Sequence, residues 1–141
     1  EMDPRELTDH EAGVLRDVTA WWKANRDWMY AADILRLDTA DPAVIAEQQM
    51  ARDGHRFVVF AGKAATSTQI SPRPLRLTRL DPDARYTTHL RNRADLTSLS
   101  RGAMALKDGP VTLSGAALMH NGLALPWSFP ESMWVLEGER L

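Results

Sequence analysis

The sequence predicts a mostly β protein, an antiparallel β-sandwich with Greek-key-like connections, preceded by one long N-terminal α-helix. Two observations carry that prediction. Apolar residues recur at helical spacing only ahead of Tyr30, and beyond it short apolar or alternating segments are separated by Gly, Pro, Asn and Asp turn signals. Several short strands with regular turns favour a sandwich, and no internal repeat or low-complexity tract competes with that reading.

The helix is expected from Thr8 to Tyr30. Thr8 followed by Glu11 is a capping-box signature: the hydroxyl accepts the glutamate N–H, and the carboxylate accepts the threonine N–H. Leu15, Val18, Trp22 and Met29 fall on one stripe, and Val14, Trp21 and Trp28 on the next, so the apolar face is wide. A helix with such a face needs neighbours on two sides.

After Ile34-Leu35-Arg36-Leu37 the stretch Asp38-Thr39-Ala40-Asp41-Pro42 favours a turn, and the domain boundary is placed there, giving units 1–37 and 38–141. Val44 to Ala51 and Arg56 to Ala61 flank Asp53-Gly54, which supplies the positive φ of a tight hairpin, so the two should pair antiparallel. Pro72 and Pro74 cannot donate to a ladder, and a strand from Leu75 to Leu80 is expected to start after them. A turn at Asp81-Pro82-Asp83 leads into a strand from Arg85 to Leu90. Arg91 to Arg101 reads as loop and Asp108-Gly109-Pro110 as a turn. Val111 to Met119 reads as a long strand bulged at Ser114-Gly115. Asn121-Gly122 is a further turn, Leu125 to Pro130 an aromatic loop, and Ser132 to Glu137 the closing strand.

With 141 residues and 44% hydrophobic content, the chain can form a domain with a real core, and no apolar run approaches the roughly 20 residues of a membrane span. A net charge of −2 with mixed signs gives no single-signed field for nucleic acid or anionic lipid, so neither is expected as a partner. Cysteine is absent, which removes disulfides and thiolate metal sites. With no charged-then-apolar leader opening the sequence, a cytoplasmic location is expected.

Leu80-Asp81-Pro82-Asp83-Ala84-Arg85-Tyr86, the segment Ser114-Gly115-Ala116-Ala117-Leu118-Met119-His120-Asn121-Gly122-Leu123, and Glu131-Ser132 before a final apolar strand together resemble the C-terminal region of glycoside hydrolase family 36, the melibiase-type α-galactosidases. The resemblance is weaker over the helix and departs from the usual pattern at Ala32, where many relatives carry glycine, and near Ile34, where they carry an aromatic. It implies that residues 1–37 are the last helix and connection of an upstream (β/α)8 catalytic barrel, and that 38–141 are a structural C-terminal sandwich. One helix stripe would then pack on the sandwich and the other on the barrel, leaving Trp21, Trp22 and Trp28 as a candidate interdomain or self-association face, with a homo-oligomer as one outcome. The parent would be a retaining enzyme acting on terminal α-galactosides. Its two catalytic aspartates would lie upstream of this region.

The residues themselves offer little chemistry. Retaining glycoside hydrolysis needs two carboxyl groups about 5 Å apart; the local pair, Asp81 and Asp83, sits beside Pro82 and reads as turn-forming. His10, His55, His89 and His120 are not spaced as metal ligands, and no cofactor is expected. Ser114-Gly115 lies in strand-like sequence with no expected helix after it, unlike a nucleophile elbow. None of Gly54, Gly62, Gly102 or Gly109 opens a helix as a phosphate loop would. Trp127 and Phe129 are candidate sugar contacts, because sugars stack C–H faces on flat rings, but Pro126 and Pro130 also bracket them as a plug over a sheet end. Three functions therefore stand side by side: a non-catalytic domain of an α-galactosidase, a carbohydrate-binding module, and a protein-interaction module docking through Trp21 or Trp28.

Overall fold

The computed structural model describes residues 3–69, 73–97 and 105–141, and by its contacts the chain divides into two compact units, 1–31 and 32–141. The first unit is dominated by helix α1, Asp9–Tyr30. Thr8 is its N-cap: Oγ1 accepts the Glu11 N–H at 3.2 Å while Glu11 Oε2 accepts the Thr8 N–H at 2.8 Å, so the expected capping box forms.

The second unit is built on one six-stranded antiparallel sheet. Its strands are β1 (Asp33–Leu37), β2 (Val44–Met50), β3 (Arg56–Lys63), β4 (Arg85–Leu90), β5 (Val111–Ser114) and β6 (Ser132–Arg140), in the spatial order β1-β2-β3-β6-β4-β5. The last strand in sequence inserts between β3 and β4, the non-sequential step of a Greek-key-like arrangement. β2 and β3 form the expected hairpin, with Gly54 at φ +74 in its turn. The boundary lies at 31/32 rather than 37/38, because β1 pairs with β2 from Asp33↔Met50 to Leu37↔Ala46 and so belongs to the sheet.

Alternation sets the inner face. Val44, Ala46, Gln48 and Met50 of β2, Phe57, Val59 and Ala61 of β3, Tyr86, Thr88 and Leu90 of β4, and Trp134 and Leu136 of β6 are buried on it. The sandwich's opposing layer comes from extended segments and two short helices, α2 (Ala105–Asp108) and α3 (Gly115–His120), which contribute Leu75, Leu77, Leu80, Leu106, Leu118, Leu123 and Leu125. Each such leucine contributes about 1.5–3 kcal/mol of burial before chain entropy is subtracted.

Of two further expected strands, one does not form and the other is cut short. Between Leu75 and Leu80 only a bridge forms: Leu75 and Leu123 exchange N–H···O bonds of 2.8 Å each, and Leu77 N–H donates to Leu118 O at 3.0 Å. Pro74 has no N–H to give, and Arg79 stands at φ +54, so the segment crosses the core without a regular ladder. The second expected strand, Val111 to Met119, stops at Ser114, whose Oγ accepts the Ala117 N–H at 3.1 Å and caps α3. The small pair marks close packing rather than a bulge, since any Cβ on Gly115 would run into the Asp81 backbone. The turn at Asp81-Pro82-Asp83 forms as expected, with Ala84 N–H on Asp81 O and Asp83 N–H on Asp81 Oδ1. The expected loop from Arg91 contains a 3-10 turn at Arg93–Asp95; Pro72 and residues 98–101 of that loop lie outside the described residues.

Candidate functional site

The loop before β6 is held at three points. Trp134 Nε1 donates to Pro126 O at 3.0 Å; the buried Lys63 Nζ donates to Ser128 O at 2.8 Å; and Ser128 Oγ, Ser132 Oγ and Phe129 O form a chain of bonds of 2.7 and 2.6 Å. Lys63 is at the end of β3, paired with Ser132, and Glu131, at φ +61, donates its N–H to Lys63 O. These bonds fix the two aromatic candidates. Trp127 and Phe129 meet edge to face, centroids 4.6 Å apart at 75°, and the Lys63 ammonium lies 5.3 Å from the Trp127 ring centre. Trp127 is half-buried and Phe129 exposed. One indole face is thus given to a cation, leaving Phe129 as the more open ring. The corner can stack an apolar surface.

Two carboxylates of the domain are committed to its own structure. Asp81 accepts from Asp83 N–H and meets Arg140 Nη2 at 2.9 Å, consistent with a turn role. Asp41, buried ahead of β2, has its carboxyl held below the usual range by the Ser67 hydroxyl and the Ala43 N–H, with Lys63 adding its charge against the opposing effect of burial. Ser114 does stand at a strand-to-helix junction, contrary to the expectation of no following helix, but its hydroxyl is used as a cap. Among the described residues no cluster of three or more metal-ligating side chains occurs; His10, His55 and His120 lie on different elements, and His89 Nε2 meets Glu137 Oε2 across the sheet at 3.1 Å.

On α1, Trp21, Trp22 and Trp28 are half-buried; Trp28 Nε1 donates to Asn25 Oδ1, Asn25 Nδ2 donates to Trp21 O, and Trp22 meets Tyr30 edge to face at 5.4 Å. The most open aliphatic residues of the helix are Val14, Leu15 and Val18.

One surface was not singled out by the residue reading. On the outward face of the sheet, Ile34, Arg36, Ile45, Glu47, Phe60, Gly62 and Met133 surround a shallow depression of about 830 Å³. Ile34 is 66% exposed, Ile45 63% and Met133 48%. The signal was present in β2, where Ile45 falls in the opposite phase to Val44, Ala46 and Met50.

Residues 44–136, running from the first residue of β2 into β6, match the glycosyl hydrolase family 36 C-terminal domain. The chain belongs to that family. The match covers the turn, helix and loop segments on which the resemblance rested. No curated protein sequence matches the chain. Among solved structures, this GH36 C-terminal domain resembles the galactosidase domain of the α-galactosidase-sucrose kinase AgaSK (23% identity, TM-score 0.76), the GH36 α-galactosidase AgaA of Geobacillus stearothermophilus (19%, 0.74) and the α-galactosidase of Lactobacillus brevis (16%, 0.75). Each similarity covers 100% of this chain and only 17% or 18% of the other, so the domain corresponds to about a sixth of those enzymes' length. At that identity the likeness shows a shared fold, extending through α1 and β1 beyond the family match.

Proposed function

We propose that the chain is the non-catalytic C-terminal domain of a retaining α-galactosidase, supporting a catalytic barrel that precedes it and acts on terminal α-galactosides. The observation that carries this reading is the family match over residues 44–136. Two clefts among the described residues fit it: the outward depression contains one carboxylate, Glu47, and a cleft of about 340 Å³ between Asp38, Thr39, Arg73, Arg76 and Asn121 contains one, Asp38. A retaining glycosidase needs two. A cytoplasmic location belongs to the same reading, supported by the lack of cysteine.

A second reading, a carbohydrate-binding module, is favoured only by the fixed Trp127–Phe129 corner. Titration of the chain with galactose, melibiose and raffinose, followed by tryptophan fluorescence, separates the two. The scaffold reading expects no saturation and no hydrolysis of an aryl α-galactoside. Saturable binding abolished by Trp127→Ala would replace it with sugar recognition.

A further inference from the structure

The two faces of the sheet are treated differently. The inner face is closed by the domain's own leucines, whereas the outward face presents isoleucine and methionine to solvent where an antiparallel sheet facing water normally carries polar side chains. Strand register arranges that face into rows. Ile45 pairs with Gly62 and Gly62 with Met133, so a residue without a side chain lies between two exposed apolar ones. Arg36, Glu47 and Phe60 form the adjoining row. A Cβ added to Gly62 would meet only Ile45 O, at 3.9 Å, so the gap is open. The result is an apolar hole with a charged border, shaped to receive an apolar side chain from a packed partner.

We propose that this hole, between Ile45, Gly62, Phe60 and Met133, is where the preceding part of an α-galactosidase chain docks on the domain; the inference rests on the C-terminal-domain reading. The partner is chosen by the comparisons: the chain superposes along its full length on enzymes of which it makes up about a sixth, so the remainder of such a chain is available to cover an apolar face. A second copy of the domain is the competing occupant.

Met133 provides the probe, since thioether oxidation by peroxide follows exposure. Its oxidation, read by mass spectrometry, is compared in the 141-residue chain and in the complete gene product, with Met119 of α3 as the internal reference. Docking predicts oxidation slowed about tenfold in the complete product only. It also predicts that Gly62→Val, which fills the hole, leaves the thermal stability of the 141-residue chain unchanged or raised and lowers that of the complete product. Equal Met133 oxidation in both, while the 32–141 unit still co-purifies with the preceding chain after limited proteolysis, would overturn the docking face alone. Separation after proteolysis would overturn the C-terminal-domain reading. Slowing that appears in the 141-residue chain as its concentration rises would assign the face to a second copy and overturn the proposal.

Discussion

The side-chain amide of Gln48 pairs with the backbone of Thr78 on both edges: Nε2 donates to Thr78 O at 2.8 Å, and Oε1 accepts the Thr78 N–H at 3.0 Å. Gln48 is fully buried on the inner face, so one side chain supplies what a neighbouring strand would have given to the irregular segment above it.

Gln48→Leu should therefore cost about 2–4 kcal/mol, because it strands the N–H and C=O of Thr78 inside the core while nearly preserving volume. Urea denaturation measures it. An unchanged midpoint would mean that Thr78 finds water or another partner.

Gly138 of β6 lies against the Phe57 ring so closely that any Cβ would enter it. Gly138→Ala is expected to destabilise by about 1–3 kcal/mol through overpacking. Adding Phe57→Leu should recover part of the loss, and additivity of the two changes in a double-mutant cycle would refute the contact as the cause.

Trp134, fully buried, ties β6 to the 126–130 loop through its indole N–H. Trp134→Phe should cost about 2–3 kcal/mol, combining lost volume with an unpaired Pro126 carbonyl. It should also raise the acrylamide quenching of Trp127, since the aromatic corner depends on that tie. Quenching identical to that of the parent chain would show that the Lys63 and Ser128–Ser132 bonds fix the loop without it.

Acid should weaken both units in the same direction. Glu11 is held below the usual carboxylate range by the Thr8 hydroxyl and N–H, and Asp41 by Ser67, Ala43 and Lys63. A carboxyl whose folded pKa lies below its unfolded value contributes stability above the unfolded value, about 4, and loses it as pH falls through the folded one. Helicity by circular dichroism should fall below about pH 4 in the parent chain and less steeply in Glu11→Gln. Identical acid profiles would remove the capping box as a contributor.

Much of this protein was legible in local chemistry. Thr8 and Glu11 specify their helix start within four residues, Asp53-Gly54 specifies its hairpin, and Asp81-Pro82-Asp83 its turn, because each is decided by backbone geometry that the residues impose on themselves. The family resemblance rested on such segments and the match over 44–136 bears it out. Local chemistry failed where long-range partners decide. Leu75 to Leu80 alternates like a strand yet finds α3 and the Gln48 side chain in place of a ladder, and Ser114-Gly115 reads as a bulge until the Asp81 backbone presses on Gly115. The placement of β6 between β3 and β4 belongs to the same class, since no turn signal names a strand's lateral neighbours. By itself, then, the sequence determined the long helix, the hairpin, the turns and the family. Only the tertiary structure decided that Lys63 lies buried under Trp127, that Gln48 stands in for a strand, and that Ile45, Gly62 and Met133 share one open row. Those depend on register between segments far apart in the chain, and a one-residue slip would send each side chain to the other face.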